Sequence, residues 1–125
     1  MSVSAYVHQK IKLSSQCFKH IFHALNDEFP AKVKLNNKYF IFALDGTDLN
    51  QLWNPESQNK ISAKNEQSYC QIHNNAMYNL LDNTYQDCIL QPKSQMDECG
   101  AALQMLRRLN YKHPYIVLMD RGYVW

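Results

Sequence analysis

Two unbroken apolar runs constrain this chain more than any other feature: Tyr39-Phe40-Ile41-Phe42-Ala43-Leu44 and Tyr115-Ile116-Val117-Leu118-Met119. Short apolar runs bounded by turn signals read as strands covered on both faces. Each run stops at an aspartate, Asp45 or Asp120, and a glycine follows within two residues, Gly46 or Gly122. Glycine lets the backbone turn sharply there.

The segments between them read as two more strands and a helix. Cys70, Ile72, Ala76 and Tyr78 alternate along a second strand, Tyr69 to Tyr78, with Asn74 as the exception. Leu80 to Thr84 carries turn chemistry, and a third strand runs from Tyr85 to Leu90, stopping at Pro92. Ser94 and Asp97 stand at capping-box spacing before a helix. Met96, Cys99, Ala102, Leu103, Leu106 and Leu109 form its apolar stripe. Asp97 and Glu98 in the first turn and Arg107 and Arg108 in the last suit the helix dipole. Gly100 weakens the helix by ~1 kcal/mol relative to alanine, and Asn110 and Pro114 punctuate its end. A helix between the third and last strands is a crossover, so the last strand is expected parallel to a neighbour. Thr47 to Glu66, rich in Asn, Gln, Ser and Lys, reads as a long surface loop.

Ahead of the first strand, residues 1–12 are polar. Cys17, Phe18, Ile21, Phe22 and Leu25 then recur at helical spacing from Leu13 to Leu25, with Ser14 or Ser15 as cap and Asn26 as end. The expected organisation is a helical segment, 1–36, followed by an α/β domain, 37–125.

Composition limits what such a fold can do. Thirteen basic and eleven acidic residues leave a net charge of +2, which permits nucleic-acid binding without demanding it. Basic clusters are sparse: Arg107-Arg108 with Lys112, and Lys32 with Lys34. No apolar run approaches the ~20 residues of a membrane helix. Cys17, Cys70, Cys88 and Cys99 show no CxxC spacing, so they read as reduced, mostly buried thiols in a cytoplasmic protein rather than zinc ligands. His8, His20, His23, His73 and His113 form no metal-ligand pattern and read as surface or partly buried imidazoles.

The chemistry concentrates at Asp45 and Asp120. On parallel neighbouring strands both carboxylates emerge at one end of the sheet, where open α/β sheets place ligands. Two close carboxylates repel unless a positive group sits between them. Mg²⁺ or Mn²⁺ meets that need with oxygen ligands and retained waters, and can activate phosphodiester chemistry. The alternative for each aspartate is a turn-forming Asx residue, and for Asp48 that alternative is stronger.

Phe42-Ala43-Leu44-Asp45-Gly46-Thr47-Asp48-Leu49 resembles the segment bearing the first catalytic aspartate of DDE-class, cut-and-paste insertion-sequence transposases. Tyr78 to Asp82 and Tyr85 to Pro92 resemble that family's second and third strands, and Glu98 to Arg107 its next helix. Leu118-Met119-Asp120-Arg121-Gly122-Tyr123 is similar to the segment with the second catalytic aspartate. The resemblance covers most of the chain from about residue 38. It implies an incomplete RNase H-like mixed sheet: three antiparallel strands, a crossover helix and a parallel fourth strand. It also implies Mg²⁺-dependent cleavage of element ends followed by attack of the freed 3′-hydroxyl on target DNA. Asp45 and Asp120 would be the catalytic, metal-binding residues. Arg121 would contact a DNA phosphate, or form a structural salt bridge.

The family's third carboxylate, a Glu in a Tyr-Arg-Glu-Lys signature, belongs well downstream of Asp120, and only five residues follow Asp120. Glu98 is expected to serve the helix N-terminus instead. A truncated, inactive product of marginal stability is therefore expected. Two alternatives stand beside it. One is a small RNase H-like nuclease using Asp48 or Asp87 as third carboxylate. The other is an interaction module that self-associates or binds and inhibits a full-length transposase.

Overall fold

The computed structural model describes residues 14–62, 67–109 and 112–123, together with residues 4, 9 and 12. The chain divides into two compact units, Met1–Ala31 and Lys32–Trp125. His8, the expected helix start at Leu13 and the expected helix stop at Asn110 lie outside the described residues.

The first unit contributes α1 (Ser15–Glu28). Of the two candidate caps, Ser14 serves: its hydroxyl accepts from the Gln16 amide at 3.2 Å. The helix runs past Asn26 to the C-cap Phe29. Phe18, Ile21 and Leu25 are each about half exposed.

The second unit is a mixed α/β structure. It comprises β1 (Phe40–Gln51), β2 (Lys60–Ile61), β3 (Tyr69–Asn79), β4 (Thr84–Pro92), a 3-10 turn (Lys93–Gln95), α2 (Glu98–Arg108) and β5 (Tyr115–Met119). β1 pairs antiparallel with β3, β3 antiparallel with β4, and β5 joins β1 in parallel. The short β2 pairs with the start of β3. The helical crossover thus delivers the parallel strand expected from the element order. Among the described residues no helix is long and apolar enough to cross a membrane.

Two connections show why the chain turns where it does. Asn36 and Asn37 both take positive φ, 51° and 54°, in the tight turn that bridges Leu35 to Tyr39. Asparagine tolerates that left-handed region. Asn83 does the same, at 55°, between β3 and β4. In that turn the Asn79 side chain accepts from the Leu81 and Asp82 amides. Asp82 in turn accepts from the Lys32 and Val33 amides at 3.2 Å, tying the start of the second unit to the β3–β4 turn.

α2 packs across β3 and β4. The core lies between them: Phe40, Phe42 and Leu44 alternate along β1, and Met77, Ala101, Ala102 and Met105 complete the layer. The buried helix face is Ala101, Ala102 and Met105; of these the expected stripe held Ala102 alone, and of its larger members Leu103 is 37% exposed and Met96 44%. Two alanines let the helix approach the sheet closely. On the opposite sheet face Ile116 and Leu118 remain 37% and 49% exposed.

Two expectations need correction. The first strand does not stop at Gly46: β1 continues through Gln51, paired residue by residue from Gly46 opposite Asn75 to Gln51 opposite Cys70. Thr47–Gln51 is exposed, so the extension is held by backbone hydrogen bonds and carries polar side chains that read as loop. The helix cap is not Ser94, which lies in the 3-10 turn, but Asp97, whose carboxylate accepts from the Gly100 amide at 2.8 Å.

Candidate functional site

The parallel register places Leu44 beside Met119. Asp45 and Asp120 are therefore the next positions along two neighbouring strands, and both line one shallow, open depression with Ala43, Leu44, Leu118 and Met119. Alternation along β1 buries Phe40, Phe42 and Leu44 and turns Asp45 out, exposed, on the face away from α2. β5 ends at Met119 while β1 runs on, so Asp45 lies inside a strand, at the point where its parallel partner stops.

Each carboxylate accepts from the next amide in sequence, Asp45 from Gly46 at 2.8 Å and Asp120 from Arg121. Neither makes a salt bridge among the described residues. One oxygen of each is thereby engaged, and the other has no hydrogen-bond donor among the described residues. Arg121 is exposed and likewise makes no salt bridge among the described residues. No group of three His, Cys, Asp or Glu side chains close enough to hold a metal together occurs among the described residues.

The other acidic candidates are engaged elsewhere. Asp87 is buried, 2.9 Å from Arg108 Nε, and also accepts from the Cys88 amide. Asp48 meets His73 Nδ1 at 2.6 Å and Lys93 Nζ at 2.7 Å. Neither joins Asp45 and Asp120 as the nuclease alternative would need. Of the four free cysteines only Cys70 is buried; Cys17, Cys88 and Cys99 are partly exposed.

His73 was not legible as a functional residue from sequence. It is 3% exposed, between Asp48 on one side and Glu98 Oε1, 3.0 Å from its Nε2, on the other. The Nε2 contact is an ion-pair approach without an aligned hydrogen bond. The cluster joins β1, β3, the 3-10 turn and α2 through four side chains. Gly46 makes it possible, because a Cβ at that position would run into the His73 ring and reach 2.9 Å from Glu98 Oε1.

Glu98 therefore departs from the helix-terminus role expected of it. Asp97 caps the helix, and the Glu98 side chain turns to His73 and Gly46, with Oε2 on the side of Gly122.

The hydrogen bond from His73, and then that from Lys93, hold the Asp48 carboxyl below its ordinary value of 3.8. A carboxyl lowered in the folded state adds stability that is present above its unfolded value and is lost as pH falls through its folded value. Part of the acid sensitivity of this chain should therefore originate at Asp48. Urea midpoints compared at pH 5 and pH 3 should fall less for Asp48→Asn than for the parent chain. Equal falls would remove Asp48 as a source.

Tyr123 closes the site. After Asp120 the chain turns, with the Tyr123 amide donating to the Asp120 carbonyl at 3.2 Å, and the ring is carried inward to 7% exposure. Its hydroxyl is buried and has no hydrogen-bond partner among the described residues. Burial pushes the phenol up to about 12, and the charges of Glu98, Asp45, Cys99 and Asp120 add to the effect in that order.

Comparison with family models, with curated proteins and with solved structures returned no match.

Proposed function

We propose that residues 37–125 are an RNase H-like portion of a DDE-class, cut-and-paste insertion-sequence transposase, with Asp45 and Asp120 as its first two cation-binding carboxylates. The reading is supported above all by the register of β1 and β5, which sets these two aspartates side by side at one open depression. The wording of the motifs around them, LDGTDL and LMDRGY, adds to it. The strand order β4-β3-β1-β5, antiparallel except for the last pair, agrees with the sheet that the resemblance implies.

The residues suit a hard divalent cation. Two neighbouring carboxylates without a cationic side chain repel, and Mg²⁺ or Mn²⁺ relieves that while keeping several of its waters. When bound, such an ion supplies charge neutralisation at a phosphodiester undergoing displacement. Asp45 and Asp120 would hold it. Each has one oxygen engaged by its neighbouring amide, which leaves the other for the ion. Arg121 is exposed next to Asp120 and is suited to pairing with a DNA phosphate. The substrate class is DNA: element ends and a target. The third carboxylate of the family's set is not among Asp48, Asp87 and Glu98 in the arrangement described, so residues 1–125 alone should bind the cation and catalyse poorly.

Calorimetric titration with Mn²⁺ tests this. The parent chain should bind, and Asp45→Asn and Asp120→Asn should each weaken binding by roughly ten-fold or more. The parent chain should show no Mg²⁺-dependent nicking of supercoiled DNA. Nicking that disappears in Asp45→Asn would instead establish a self-sufficient nuclease, and absence of Mn²⁺ binding would remove the cation reading.

A second reading draws on the outer edge of β5. Among the described residues that strand pairs with β1 alone, and it carries exposed Ile116 and Leu118, a surface open to strand addition. Under it the chain is an interaction module for another copy or for an intact transposase, and co-purification without Mn²⁺ binding would favour it.

A further inference from the structure

Among the described histidines only His73 is buried, and a carboxylate faces each of its ring nitrogens. Nδ1 meets Asp48 Oδ1 of β1 at 2.6 Å, and Nε2 lies 3.0 Å from Glu98 Oε1 of α2. Lys93 of the 3-10 turn takes the other Asp48 oxygen at 2.7 Å. Gln91, opposite His73 on β4, is neutral. Asp48, Lys93 and Glu98 are thus the charged groups brought to the ring from β1, the turn and α2.

A neutral imidazole has one N–H and one lone pair. With the proton on Nδ1 for Asp48, the bare Nε2 is left beside a carboxylate oxygen at 3.0 Å, too close for a water to intervene. Nε2 and Oε1 form no aligned hydrogen bond, so charge alone draws them together. Only the imidazolium attracts both acids. It also balances the cluster, setting two cations against two carboxylates, and a buried charge is tolerated when it is paired in this way.

We propose that Asp48, His73 and Glu98 form a proton-operated clasp, in which the charged His73 ring holds the first turn of α2 against β3 and β1, and loss of its proton releases Glu98. The inference does not depend on the cation reading and uses neither Asp45 nor Asp120. Glu98 is the moving part: its side chain is 30% exposed, so water can take up the released carboxylate. Asp48 is the fixed part. Lys93 also holds it, and its carboxyl, kept below its ordinary value of 3.8, stays ionised wherever imidazole changes charge. Asp97 continues to cap the helix through the Gly100 amide, so release loosens the first turn without unwinding α2. Gly46 gives the clasp its seat, since a side chain there would collide with the His73 ring. The tie is present on the acid side of the imidazole transition and is lost as pH rises through it.

The test follows the parent chain from about pH 5 to about pH 8, the range in which imidazoles ordinarily change charge, by nitrogen NMR of the ring and by amide hydrogen exchange. At the acid end both His73 nitrogens should carry protons. As the ring loses its charge, protection of the Ala101 and Ala102 amides, corrected for the intrinsic pH dependence of exchange, should fall about three- to ten-fold. Protection at Leu106, near the far end of α2, should stay level. Glu98→Gln keeps the volume, and its carboxamide can accept from the ring or donate to it, so in that variant the fall should disappear. Three results overturn the proposal: a ring already neutral at the acid end, parent protection at Ala101 and Ala102 that is unchanged when the ring loses its proton, or a parent-like fall in Glu98→Gln. The first two are read on the parent chain, so the decision stands even if the variant does not fold.

Discussion

Phe42→Ala is expected to lower the stability of the Lys32–Trp125 unit by roughly 3–5 kcal/mol, the range for removing a large aromatic side chain from a core. Phe42 is fully buried in the first half of β1. Its ring stacks on Phe40 at 6.3 Å between centroids and meets Tyr115 of β5 edge-on at 6.0 Å. Alanine would leave a cavity between β1 and β5 as well as under α2, and neither the sheet hydrogen bonds nor the short helix can collapse into it. A small domain has only about 5–15 kcal/mol of stability to lose. The thermal midpoint should fall by at least about 12 °C, or the folded state should vanish. The choice of position matters. Leu118, on the open face and 49% exposed, should cost little when truncated. A chain in which Phe42→Ala and Leu118→Ala shifted the urea midpoint equally would not have the core described.

The second large effect is expected at Arg108. Asp87 is 5% exposed, and its charge is met by the Arg108 guanidinium at 2.9 Å and by the Cys88 amide at 2.8 Å. Arg108→Ala would leave a buried carboxylate with one backbone donor. Removing one member of a buried pair costs roughly 3–5 kcal/mol; Arg108 itself is 39% exposed on its side chain, so solvent can partly replace it and about 2–3 kcal/mol is the reasonable figure. The signature is non-additivity. Asp87→Asn combined with Arg108→Ala should be less damaging than the sum of the two, since the stranded charge is then gone. Urea unfolding of the single and double variants measures the coupling. A change within ~0.5 kcal/mol for Arg108→Ala would put the pair among ordinary surface contacts.

What could be read from the sequence depended on whether the signal was local. The strand Tyr115–Met119 was legible because five apolar residues end at a turn, and the parallel pairing followed from the helix before it. The side-by-side placement of Asp45 and Asp120 followed from those two facts. Thr47–Gln51 was not legible as strand, because its partner lies twenty or so residues downstream in β3 and, Leu49 apart, its own side chains are polar. The helix face was read only in part: the expected stripe held Ala102 but neither Ala101 nor Met105, because bulky side chains weigh more in a periodicity than alanines, whereas close packing on the sheet selects Ala101 and Ala102. His73 and Glu98 gave no signal at all. Their significance comes from contacts to Asp48 and to each other across 25 residues of chain, which only the fold brings together.

The unequal lengths of β1 and β5 make the sheet end in a step. Where β5 stops, β1 continues against β3, which β4 and then β2 flank on its other side, and side-chain amide contacts such as Gln71 to Asn50 at 2.9 Å and Asn59 to Gln51 at 2.7 Å brace this extension. The paired aspartates occupy the inner corner of that step. Paired backbone walls off one flank, and the other opens past the terminus of β5. Under the proposed reading, DNA reaching both acids would lie against this extension and enter from the β5 flank, so the corner would set the direction of its approach.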